Sequence, residues 1–104
     1  MFPMAVILIV EDELITGEIA GMYIMDCGHH VLFANGAAEA LWHLTSYQTI
    51  DALFTDIYLN TEVFGGCDVA RQAQAMRPNL RVLYTSGNLP TARLKSQFVA
   101  GPVF

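Results

Sequence analysis

Positive charge is what this sequence has least of. Its 104 residues carry five Lys and Arg against ten Asp and Glu, a net charge of -5, with no basic cluster. A protein that lives on nucleic-acid phosphates needs a positive face, so that class of function is set aside. Cysteine is scarce as well. Cys27 and Cys67 lie far apart with no CxxC pair, which reads as two reduced, buried thiols of a cytoplasmic protein. Long apolar runs are missing: Ala5 to Val10 is cut off by Glu11, Asp12 and Glu13, too short for a membrane span and without the basic start of a signal peptide. No GxGxxG follows a strand, so Gly65-Gly66 is a loop and not a nucleotide fingerprint. No repeat, low-complexity tract or linker divides the chain.

What is present is apolar bulk. Hydrophobic residues make up 54% and charged residues 14% of the sequence, which excludes disorder. The length suits one domain with one core. Ala5–Val10 is a short β-branched run of the kind a strand covered on both faces requires. From Glu13 to Cys27, Leu14, Ile15, Ile19, Met22 and Tyr23 recur at helical spacing until Gly28. Val31–Ala34 is a second strand, closed by Asn35-Gly36, and Ala37–Leu44 a second helix. Ala52–Thr55 is a third strand, Asn60–Gly66 a loop, Cys67–Met76 a third helix and Arg81–Thr85 a fourth strand. The order β-α-β-α-β-α-β demands a parallel sheet with helices on both faces. Beyond Gly87 the pattern weakens, with a short helix at most in Leu89–Gln97 and the start of a fifth strand at Gly101–Phe104.

In such a sheet, ligands bind at the carboxyl ends of the strands. Strand one ends in Glu11 and Asp12, strand three in Asp56, and strand four in Ser86 and Gly87. Asp12 taken alone could serve as a helix N-cap. Acids at several chain-separated strand ends are harder to explain that way. Such carboxylates repel one another unless a cation sits among them, and hard oxygen donors suit Mg²⁺.

The sequence resembles the receiver domain of two-component response regulators. Ile7-Leu8-Ile9-Val10-Glu11-Asp12-Glu13 is similar to the family's first strand and acidic pair. Leu53-Phe54-Thr55-Asp56-Ile57-Tyr58-Leu59 is similar to its phosphoacceptor strand, and Leu83-Tyr84-Thr85-Ser86-Gly87 to the strand bearing its Thr/Ser and following small residue. Gly28-His29-His30-Val31 and Asn35-Gly36-Ala37-Ala38-Glu39-Ala40-Leu41 match further habitual stretches, so the likeness covers essentially the whole chain. It implies a doubly wound α/β sheet of flavodoxin-like order 2-1-3-4-5, one receiver domain over residues 1–104 that stops short of the family's last helix. It implies that Asp56 accepts a phosphoryl group from a histidine kinase or phosphotransfer protein. Asp12, Asp56, Glu11 through water and the backbone carbonyl of Tyr58 would hold Mg²⁺. Ser86 would hydrogen-bond the acyl phosphate, and Ser86 with Phe104 would switch a protein-interaction face. Thr85 competes with Ser86, but successive strand residues point to opposite faces.

Several positions depart from the family pattern. Asn60 stands where a proline is usual, and a bulky Tyr58 implies slow self-dephosphorylation. The family's lysine near the end of strand five is not found. Gln97-Phe98-Val99-Ala100-Gly101-Pro102-Val103-Phe104 resembles the approach to that strand, which places the lysine past the last residue. Loss of the final helix would expose an apolar sheet face and favour self-association. Two other readings stay open: a degenerate receiver acting as a phosphorylation-independent binding module, and a Mg²⁺-dependent phosphohydrolase. The second needs an aspartate two residues after the nucleophile, where Tyr58 stands. His29, His30 and His43 read as surface or satisfied side chains; Trp42, Met22, Met25 and Phe54 read as core. Arg71, Arg77, Arg81 and Arg93 read as scattered, solvating residues.

Overall fold

The computed structural model describes residues 4–46, 49–56 and 65–85. They form β1 (Val6–Val10), α1 (Leu14–Asp26), β2 (His30–Ala34), α2 (Ala37–Thr45), β3 (Ala52–Asp56), α3 (Gly65–Met76) and β4 (Arg81–Thr85). The strands pair in parallel in the order β2-β1-β3-β4. This is the expected order as far as β4; a fifth strand at Gly101–Phe104 lies outside the described residues.

The unbroken apolar runs follow from a sheet covered on both faces. Leu8, Val10 and Leu53 point into the larger core, where Val69, Ala70 and Ala73 of α3 and Ala40 and Leu44 of α2 meet them. Ile7, Ile9 and Ala52 point the other way, toward Ala20 and Ile24 of α1. Ile7 to Val10 of β1 are therefore packed alternately on the two faces, and no polar alternation survives. Tyr84 closes the larger core from β4 and is fully buried.

α1 corrects the sequence reading. Its contact with the sheet is a stripe of small residues, the buried Gly17 and Gly21 with the part-buried Ala20 and Ile24, at the spacing of one helical face. Glycine lets the helix sit close: a Cβ on Gly21 would lie 2.6 Å from Phe33 Cζ. The larger Leu14, Ile15, Ile19, Met22, Tyr23 and Met25 are consequently exposed, and so is Trp42 of α2. The exposed apolar surface of the described residues thus belongs mainly to α1, while Ile7, Ile9 and Ala52 of the sheet beneath it are buried. Phe54 is part-buried against that face, as expected. Cys67 is buried, but Cys27 at the end of α1 is exposed; both are free thiols. α1 stops at Gly28, whose φ of 90° is one that glycine adopts without strain. Gly65 and Gly66 belong to α3 and are buried in it, not to a loop.

Polar ties that periodicity does not reveal hold the frame. At the amino edge of the sheet the Val6 N–H donates to Asp51 Oδ2 at 2.7 Å, and the Asp51 N–H donates to the Val6 carbonyl at 2.8 Å. The Ala5 N–H donates to His29 Nδ1 at 3.1 Å. Arg77, just past α3, donates from Nη2 to the carbonyls of Leu44 at 3.0 Å and Ser46 at 3.1 Å, closing the open end of α2. It is a structural cation rather than a solvating one.

Candidate functional site

The site stands at the carboxyl edge of the sheet, where β1 and β3 run side by side. Val10 pairs with Thr55, so the residues following Val10 and Thr55 emerge together. The Glu11 N–H donates to the Ala34 carbonyl at 3.0 Å, carrying the β1–β2 pairing past the end of the strand. Glu11 is therefore held in place by backbone and is only 9% exposed. Asp12 follows on the exposed turn into α1, and Asp56 is the half-buried last residue of β3.

The carboxylates of Glu11, Asp12 and Asp56 converge, each placing an oxygen within 4.8 Å of the others. Burial pushes the Glu11 carboxyl up from its ordinary 4.5 to about 7, and the negative charge of Asp56 and the neighbouring Asp12 push the same way. The Glu13 N–H, donating to Glu11 Oε1 at 3.1 Å, opposes that rise without cancelling it. All donors are hard oxygens, with one exposed edge at Asp12 left for water. That set fits a small divalent cation of the Mg²⁺ or Ca²⁺ type, which would satisfy both the repulsion and the burial.

Asp56 is the register partner of Thr85, the last residue of β4. Ser86, Tyr58 and Phe104 themselves lie outside the described residues. The structure thus brings together Glu11, Asp12 and Asp56 of the expected set. Glu13 is a further participant the sequence reading passed over, acting through its amide; only the turn geometry after β1 exposes that role.

Solved structures share the fold that carries this arrangement. A response regulator receiver protein from Sinorhizobium medicae WSM419 superposes with a TM-score of 0.86 at 28% identity, covering 97% of this chain and 81% of its own. The fold is that of a response regulator receiver domain. TrrA, a response regulator protein from Thermotoga maritima solved in complex with Mg(2+)-BeF, shares the receiver fold with a TM-score of 0.80 and 20% identity, over 96% of this chain and 85% of its own. A response regulator protein from Burkholderia pseudomallei, solved with a phosphorylated aspartic acid, calcium ion and citrate, does so at 0.81 and 16% identity, over 95% and 58%. No family model matches the sequence. Among the described residues no helix is long and apolar enough to cross a membrane.

Proposed function

We propose that this receiver domain is a phosphoacceptor switch of a two-component system, taking a phosphoryl group from a histidine kinase or phosphotransfer protein onto Asp56. The observation that carries the reading is the convergence of Glu11, Asp12 and Asp56 at the carboxyl edge of a receiver fold. Relatives of the same fold solved with Mg(2+)-BeF, or with a phosphorylated aspartic acid and a calcium ion, support it.

An Asp56 oxygen forms a bond to phosphorus as the donor's bond to phosphorus breaks, and the electron pair leaves with the donor. Three carboxylates alone would repel a phosphoryl dianion; Mg²⁺ bound among them supplies the compensating charge on the carboxylates and the equatorial oxygens. Asp12 and Asp56 would hold the ion directly, Glu11 through water, and the Tyr58 carbonyl would complete the set. The raised affinity of Glu11 for a proton makes it the weakest of these at low pH. Ser86 would donate its hydroxyl hydrogen to an oxygen of the new acyl phosphate. Ser86 and Phe104 would then change arrangement together and alter a protein-binding face. Tyr58, two residues after the acceptor, would shield the acyl phosphate from water and slow its hydrolysis.

Intact mass after incubation with Mg²⁺ and a small-molecule phosphodonor tests this. Wild type should gain one phosphoryl group only with Mg²⁺, and Asp56→Asn none. A folded, cation-binding chain that gains nothing would be a binding module instead. Turnover of the donor without an adduct would indicate a phosphohydrolase.

A further inference from the structure

Beside the carboxylate cluster, on the α1–β2 side, lies a second feature that phosphoryl transfer does not use. A cavity of about 440 Å³ opens between the first turn of α1 and the ends of β1 and β2, in the size range of small-molecule sites. Its walls are Ile9, Leu14, Gly17 and Phe33, and its rim carries Glu13, Glu18 and Asn35, with Glu11 and Asp12 at the inner end. Among the described residues no Lys or Arg lines it.

The aromatic wall is built rather than incidental. Gly21 has no side chain, and Phe33 fills that space, its Cζ and Cε1 lying 2.6 and 3.0 Å from where a Cβ would stand. The ring is thereby docked against α1 yet remains 45% exposed. Gly17, one turn earlier, also lines the cavity. Glu13 is engaged by Thr16, whose Oγ1 donates to Oε2 at 3.1 Å. Glu18 stands exposed on the same side of the helix. An exposed aromatic ring attracts cations through its quadrupole. A carboxylate rim attracts them by charge, and the apolar floor rewards a flat hydrocarbon body.

The geometry points to a binding site for a small organic cation, an amidinium or ammonium carried on a flat apolar body, adjoining the divalent-metal cluster, whose Glu11 and Asp12 form its inner end. The body lies against Phe33, Ile9 and Leu14, and the positive head meets Glu18 and Glu13. The volume suits one such molecule, and the uniform negative charge of the rim disfavours an acidic or neutral one.

Titration of the full chain with benzamidine in excess Mg²⁺, followed by amide chemical shifts, tests the assignment. The neutral isostere benzamide serves as the control. Benzamidine should give saturable shifts centred on Leu14, Gly17, Glu18, Phe33 and Asn35, and benzamide should give none. Glu18→Gln and Phe33→Leu, each on its own, should weaken benzamidine about two- to fivefold, as expected for a part-exposed ion pair or cation–π contact. Equal shifts from benzamide would overturn the proposal by reducing the cavity to a plain apolar groove. Shifts that centre on Asp12 and Asp56 and vanish with Mg²⁺ would overturn it by placing the probe in the metal cluster. Binding only of a basic amphipathic peptide, with shifts on Ile15, Ile19 and Met22, would overturn it in favour of a protein partner on the outer side of α1.

Discussion

At the scale of single residues, the polar groups that matter are those whose surroundings leave them one role. Arg77 is half-buried and spends its guanidinium on two carbonyls at the end of α2. Those carbonyls have no partner within the helix, and a planar fork reaches both where an ammonium would not. Arg77→Met should therefore destabilise the fold by about 1.5–3 kcal/mol, the range for a hydrogen bond to a charged group, read from urea unfolding. Arg77→Lys should recover only part of that loss. The two cysteines part company in the same way. Burial raises the Cys67 thiol above its ordinary pKa, with Asp68 adding to the rise and Arg71 opposing it, so little reactive thiolate forms. Cys27 is exposed. A disulfide-exchange reagent should give a single adduct on Cys27 in the folded chain, and a second on Cys67 only in denaturant, as peptide mass mapping will report.

At the scale of elements, the two glycines of α1 make opposite predictions from one helix. Gly17→Ala meets Glu11 side-chain atoms at 3.5 and 3.6 Å, which is normal contact, and replaces a flexible residue inside a helix. It should stabilise the fold by about 0.5–1 kcal/mol. Gly21→Ala gains the same propensity but must expel the Phe33 ring, so its net effect should be near zero or unfavourable, with Phe33 more exposed. Thermal unfolding of both variants, with Phe33 ring shifts, decides the contrast; equal stabilisation by the two would contradict the close packing of α1. This helix also marks the boundary of what was legible in the sequence. β1, β3 and β4 were readable because a strand covered on both faces is mainly apolar, and the acids at the ends of β1 and β3 were readable because the runs stop there. The inner face of α1 was not. The helix is apolar nearly all round, so bulk at Leu14, Ile15, Ile19, Met22 and Tyr23 outweighed the quieter Gly17–Ala20–Gly21–Ile24 stripe that actually meets the sheet. Arg77, Asp51 and His29 were equally hidden, because each bonds backbone far away in sequence, which no periodicity encodes.

At the scale of the whole molecule, the burial of one acid in an acidic site couples proton, metal and fold. Glu11 holds its proton more tightly in the folded chain, at about 7, than at its ordinary 4.5. Below 4.5 it is protonated in both states, and its contribution to stability is complete. Between those values only the folded chain keeps the proton, so stability falls as pH rises; above about 7 the full cost of a buried charge is present. That cost is at most about 3–4 kcal/mol, a pKa unit being worth about 1.4 kcal/mol. Glu11→Gln, which fixes the neutral form, should match wild type below about pH 4.5 and exceed it at about pH 8 when a chelator removes divalent cations. Mg²⁺ works in the opposite direction, because it favours the ionised form and binds only where the three carboxylates are assembled. Adding it at the higher pH should stabilise wild type more than Glu11→Gln, which keeps Asp12 and Asp56 but has no buried charge to relieve, and adding it at the lower pH should do less for either. Unfolding midpoints across this range, with and without Mg²⁺, measure both effects. Parallel pH profiles for wild type and Glu11→Gln in chelator would show that Glu11 titrates normally, and that relief of its burial is not what drives the cation into the site.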